Sequence, residues 1–177
     1  RKTNKKLQDE IRILKQFCKA NDLYGAESYI RGFSGYVLEL LIIKYGSFDK
    51  LVENARKWSE EEVIYFGRNK EKALRELNKS KKVSPLIVID PVQENRNAAA
   101  AIGKKNYKKF ISLCKAYNGN KTFFVKEEVL IDKLKKDHII FEITPFEGKK
   151  DIVGSKLLSL LERMKKEFEG KEFKIKN

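Results

Sequence analysis

YGAESYIRGFSGYVLELLI, Tyr24 to Ile42, holds three glycines, three tyrosines, a phenylalanine and an arginine, then runs into continuous apolar sequence. Ser34 is a fitting N-cap, because its hydroxyl can accept from the amides of a first helical turn, and Gly46 is a fitting stop. A helix is therefore predicted from Gly35 to about Lys44, with Leu40, Leu41 and Ile43 anchoring it in the core. The glycines at 32 and 35 admit two readings. Either they let an anion approach the amides that open the helix, or they relieve packing in a tight interhelical turn.

Upstream, Leu7, Ile11, Leu14 and Cys18 recur at spacings of 4, 3 and 4, the stripe of an amphipathic helix that Asn21 and Asp22 stop. Lys15 falls at the edge of that stripe. Downstream, Ser47 caps a third helix, FDKLVENARKW, with Phe48, Leu51, Val52, Ala55 and Trp58 on its buried face. Residues 59–84 are mostly charged and read as strand-and-loop excursions. PLIVID, 85–90, is a short β-branched run and reads as a buried strand ended by Pro91. Asn97 is expected to cap a short alanine helix, Ala98 to Ile102, and a further helix after Gly103 to carry Tyr107, Phe110, Ile111, Cys114 and Tyr117 inward.

Asn118-Gly119-Asn120 is the strongest linker signal in the chain, so the expected domains are 1–118 and 119–177. Beyond it HIIFEITPF reads as a strand, DIVGSKLLSLLERMKKEFEGK as a helix and EFKIKN as a second strand. The predicted fold class is α+β: a mainly helical central domain with a small sheet, followed by a partial ferredoxin-like βαβ segment. One such unit cannot make a stable sheet by itself.

Lysine and arginine outnumber the acids by 39 to 25 over 177 residues, for a net charge of +14 and a pI near 9.6. The surplus is even, 19 basic against 12 acidic residues in 1–84 and 20 against 13 in 85–177, so it belongs to no single tail. A globular surface of this kind attracts polyanions, RNA or DNA above all, although lysine also serves simply to solubilise. No run of 18 apolar residues spans a membrane, and no signal-peptide pattern opens the chain. Cys18 and Cys114, far apart in helical segments, read as free thiols in a reducing cytoplasm. His138, the single histidine, has no partner at zinc-ligand spacing. The chain opens Arg-Lys-Thr, has its one methionine at 164 and ends on a strand-like segment, which is expected of a piece of a longer protein.

Catalytic patterns are sparse. One histidine and two separated cysteines make no nucleophile-base constellation, and neither a phosphate-binding G-x-x-x-x-G-K-[ST] loop nor a G-x-G-x-x-G turn occurs. Gly46-Ser47 and Gly154-Ser155 do not lead into an acidic-x-acidic pair on a strand. Glu60-Glu61-Glu62 and Glu167-Phe168-Glu169 have the spacing for two-metal chemistry but sit in helical or solvated sequence. Binding chemistry is better represented. Arg96, in the polar loop DPVQENRN, can fork onto a phosphate or a base edge, or pair with Glu94.

YGAE, RGFSGY, ELLIIKYGSF, the apolar strand ending DPV and the NRNAAAAI after it resemble, in this order and spacing over about residues 7–117, the archaeal-type (class I) CCA-adding enzymes. These tRNA nucleotidyltransferases complete tRNA 3′ ends with C, C and A from CTP and ATP, using Mg²⁺. The run DIVGSKLLSLLERM to EFKI is similar to the start of that family's RNA-binding tail domain. The resemblance implies that Lys15, nine residues before the YGAE tyrosine, and Tyr24 itself contact the triphosphate of the incoming nucleotide. It implies that Arg96 reads the nucleotide base together with the RNA 3′ end. It places the metal-binding carboxylates in a catalytic head domain expected ahead of residue 1, so this chain by itself is expected to be inactive. The implied partners are tRNA, at its acceptor stem and 3′ end, CTP, ATP and that head. Gln93 stands where the family carries an acidic residue, and the 59–84 excursion is longer than the pattern expects. The other reading is a stand-alone, non-catalytic RNA-binding module derived from such an enzyme.

Overall fold

In the computed structural model, which describes residues 5–67, 70–77, 82–128, 131–135 and 139–169, helix α1 (Lys5–Ala20) turns Ile11, Leu14 and Cys18 inward. It also buries Phe17, the hub of an aromatic cluster with Phe48, Phe110, Tyr117, Phe123 and Phe124. Asp22 adopts a left-handed backbone, φ 53°, and Leu23 N–H returns to Cys18 O at 2.8 Å, which closes the helix where Asn21 and Asp22 were expected to stop it. The chain then makes a loop stitched at its base: Phe33 N–H bonds Leu23 O at 2.7 Å, and Gly25 N–H bonds Phe33 O at 2.9 Å.

Helix α2 (Gly35–Tyr45) follows, with Ser34 Oγ accepting from Val37 N–H and Gly46 left-handed at φ 87°. Leu38, Leu40, Leu41 and Ile42 are buried. Ile43, expected in the core, is instead 52% exposed, because it lies two turns along the same face as Tyr36 and its inward place falls to Ile42. Helix α3 (Phe48–Ala55) has the expected Ser47 cap and buried face but stops three residues before Trp58. Beyond its end, the Arg56 side chain donates to Cys114 O and Tyr117 O, and Trp58 stacks on Tyr107 with centroids 6.1 Å apart.

The charged excursion holds strand β1 (Glu62–Ile64) and helix α4 (Lys70–Glu76), where only strand and loop were expected. A helix there has a physical reason, since β1 pairs in parallel with β2 (Leu86–Val88), and parallel neighbours need a crossover that a two-residue turn cannot supply. Alternation sets the two faces of this small sheet. Ile64, Leu86 and Val88 join the main core, while Val63, Ile87 and Ile89 pack with Ala73 and Leu77 of the excursion.

The alanines after Asn97 form turns rather than the expected short helix. Ser84 Oγ takes the carbonyls of Ala99 and Ile102, and Asn97 Oδ1 accepts from Val88 and Ala99 N–H, so the groups a helix would use are committed elsewhere. Helix α5 (Lys104–Ala116) buries Tyr107, Phe110 and Cys114, with Ile111 and Tyr117 partly buried against the same core. Asn120 then caps a 3-10 turn, Lys121–Phe124, whose Phe123 and Phe124 return to Phe17. The first compact unit consequently extends to Glu127.

The second unit, from Glu128, contains α6 (Ile131–Leu134) and α7 (Lys150–Glu169). Helix α7 forms where the apolar spacing predicted it, yet none of its residues is buried. Residues 139–146 of the expected strand HIIFEITPF form no strand, and EFKIKN lies outside the described residues. A strand is held only by a neighbour's backbone, and among the described residues of this unit there is none. The α+β class holds, and the sheet that justifies it is the β1–β2 pair.

Gly32 is where the stitched loop is tightest: a Cβ there would press into the Leu23 carbonyl oxygen and lie 2.8 Å from its carbon. Gly32→Ala is expected to lower stability by at least about 2 kcal/mol, the scale of an overpacked interior, read as a fall in the urea midpoint.

Candidate functional site

The first turn of α2 gathers the residues singled out in the sequence. The point a Cβ would take on Gly35 lies 3.1 Å from Tyr24 Oη and 3.7 Å from Lys15 Nζ. Lys15 reaches it from α1 and Tyr24 from the stitched loop, where Tyr24 and Phe33 bridge. The two readings of the glycines therefore separate: Gly32 serves a close backbone packing, and Gly35 opens onto a lysine and a phenol. The amides at the start of α2 have no acceptor within the helix and carry its positive dipole end.

Lys15 and Arg96 each face a carboxylate. Lys15 Nζ lies 2.8 Å from Glu39 Oε1, one turn further along α2 than Gly35. Both side chains are partly open to solvent, 29% and 43%, so the pair adds at most about 1 kcal/mol to stability and can exchange partners readily. Lys19, one turn after Lys15, sets its ammonium 5.1 Å from the Tyr24 ring centroid.

Arg96 sits on the loop between Asp90 and Asn97. This loop is closed at its base by Asp90 N–H to Arg96 O, 3.1 Å, and by the bridge between Ile89 and Asn97. Arg96 faces Asp90 Oδ2 at 3.5 Å, so its carboxylate partner is Asp90 rather than Glu94. Tyr36, next to Gly35, donates its hydroxyl to Asp90 Oδ1 at 2.8 Å and places its ring 6.0 Å from the Arg96 guanidinium carbon. Gln93 shapes the loop through its backbone: its N–H points to Asp90 Oδ1 at 3.4 Å and its carbonyl accepts from Arg96 N–H at 2.9 Å. A change of side chain at 93 leaves both contacts available.

Lys15, Tyr24 and Arg96 were named in the sequence through the family resemblance, while Lys19, Tyr36, Glu39 and Asp90 were not singled out. A signal existed for two of them. Glu39 is the acid inside the otherwise apolar GYVLELLII, and Asp90 ends a buried strand. An acid in apolar sequence needs a cation or several donors.

Burial by itself would raise the Asp90 carboxyl. Hydrogen bonds from Val92 N–H, Tyr36 Oη and Gln93 N–H, with the Arg96 guanidinium, outweigh it and hold the group below its ordinary 3.8. A depressed carboxyl stabilises the fold above its unfolded value, and the contribution is lost as pH falls through the folded value. The unfolding free energies of the protein and of Asp90→Asn, from urea titration, should therefore differ fully at pH 6, by about 1–2 kcal/mol, and converge as pH falls below 3.8 through the folded value.

Residues 9–125 match the family model described as tRNA nucleotidyltransferase, second domain. The CCA-adding enzyme of Archaeoglobus fulgidus is 44% identical over 110 residues, 62% of this chain and 23% of that protein. That of Methanococcus maripaludis is 42% identical over 127 residues, 68% of this chain and 28% of that protein. That of Saccharolobus islandicus is 35% identical over 173 residues, 95% of this chain and 39% of that protein. The chain thus matches between 23% and 39% of the length of these relatives. It belongs to the family of the second domain of tRNA nucleotidyltransferases, and its matched relatives are CCA-adding enzymes.

Proposed function

We propose that this chain supplies the second domain, and the beginning of the next, of an enzyme that adds C, C and A to tRNA 3′ ends from CTP and ATP. In this reading Lys15 and Tyr24 hold the triphosphate, and Arg96 reads the base together with the RNA 3′ end. The observation that supports it is convergence. Three residues from separate segments border the first turn of one helix, two of them within 4 Å of one point on Gly35. An ammonium, a phenolic donor and a helix N-terminus suit a polyphosphate, and a guanidinium over the neighbouring Tyr36 ring suits a base edge.

The reaction is a displacement at the α-phosphorus. The tRNA 3′ oxygen forms the new bond, the bond to the bridging oxygen breaks and pyrophosphate leaves. Mg²⁺ supplies charge stabilisation in such chemistry when bound. The family resemblance assigns the metal to the head domain, and among the described residues no three Asp, Glu, His or Cys side chains come together to hold an ion. On this reading the chain binds and orients while the head performs the transfer, and residues 1–177 alone are inactive. The net charge of +14 suits the tRNA acceptor stem, recognised through its backbone and shape. Two buried, free thiols fit a cytoplasmic setting, and among the described residues no helix is long and apolar enough to cross a membrane.

In the full-length protein, Lys15→Ala should raise the KM for CTP about tenfold, the scale of one charge-assisted hydrogen bond, and Tyr24→Phe by a few-fold. Both should leave kcat nearly unchanged, because the contacts are made to a phosphate that is bound throughout. Steady-state kinetics with tRNA lacking its terminal CCA tests this. Unaltered KM values in both variants would remove the two residues from the pocket. Retained tRNA binding by a full-length protein that incorporates no nucleotide would leave an RNA-binding module.

A further inference from the structure

We propose that Asp90 is a positioning residue for base readout, holding one amino group of Arg96 so that the rest of the guanidinium is presented to the incoming nucleotide. The inference rests on the assignment of Arg96 made above. The Asp90 side chain is 2% exposed and that of Arg96 52%, so the pair has a fixed end and an open end. The two carboxylate oxygens have different partners. Oδ1 accepts from Tyr36 Oη, Val92 N–H and Gln93 N–H at 2.8, 2.9 and 3.4 Å, and Oδ2 faces Arg96 Nη1 at 3.5 Å. A guanidinium carries five donors, and one loose contact at Nη1 leaves Nη2 and Nε for a ligand. A bidentate clamp would have consumed the fork. The Tyr36 ring, 6.0 Å from the guanidinium carbon, gives Arg96 a second support from α2. Asp90 thereby ties the orientation of Arg96 to the same helical turn that borders Lys15 and Tyr24.

Asp90→Asn separates these roles. An asparagine keeps an acceptor for the three donors at Oδ1 and turns an amide toward Arg96. The measurement is the ratio of kcat/KM for CTP over UTP in the full-length protein, on tRNA lacking its terminal CCA, for the native protein, Asp90→Asn, Arg96→Ala and the double variant. Asp90→Asn should lower the ratio about tenfold, the scale of one hydrogen bond to a charged group. It should add nothing in the Arg96→Ala background, which a merely structural role would not predict. If Arg96→Ala lowers the ratio and Asp90→Asn does not, positioning by Asp90 is wrong while the reading of Arg96 stands. If Arg96→Ala leaves the ratio intact, both are wrong. Should Asp90→Asn melt below the assay temperature, Tyr36→Phe removes only the hydroxyl that Asp90 accepts from. A several-fold fall in the ratio then supports the proposal, and an unchanged ratio overturns it.

Discussion

The hydrogen bond from Phe33 N–H to Leu23 O, 2.7 Å long, is the contact on which the candidate site depends. It fixes the start of α2 against the end of α1 across a loop that only glycine at 32 allows to close. The backbone that carries Lys15 is anchored by Phe17 on α1, that of Tyr24 by its place in the stitched loop, and that of Gly35 by the Ser34 cap. Loosening this contact would move a lysine, a phenol and a helix N-terminus relative to one another. Such a site requires its groups to hold their relative positions to within fractions of an ångström.

The second constraint is electrostatic. Lys15 and Arg96, the two cations assigned to the proposed site, each face a carboxylate, Glu39 for Lys15 and Asp90 for Arg96. The two pairs differ in kind. Glu39 is 43% exposed, so its pair with Lys15 is weak, and in the proposed site its displacement by a phosphate would cost little. Asp90 is buried and bonded on several sides, so in the proposed site it would stay in place while Arg96 engages a ligand. In the proposed site one carboxylate would yield its cation and the other would steady it.

Local physics was readable in the sequence, and long-range pairing was not. Ser34, Gly46 and Ser47 announced their caps, and the stripe of Ile11, Leu14 and Cys18 announced its helix. Helix α4 was hidden because its reason, the parallel pairing of β1 with β2, lies in a partner some twenty residues away. The alanines after Asn97 have high helical propensity, which lost to Ser84 and to the commitments of the Asn97 side chain. Ile43 was misread because an apolar run gives no phase; the face is fixed by what α2 packs against. At the site, Lys15, Tyr24 and Arg96 were named through family likeness. Glu39 and Asp90 were visible only as acids in apolar surroundings, a pattern that states a need for partners without naming them.

The central claim is that the first turn of α2 is one wall of a nucleotide site. A crystal structure of the full-length protein with bound CTP tests it most directly. The account predicts triphosphate oxygens within hydrogen-bonding distance of Lys15 Nζ and Tyr24 Oη, with the Lys15–Glu39 pair parted. A triphosphate bound elsewhere, with Lys15 still on Glu39, would contradict it.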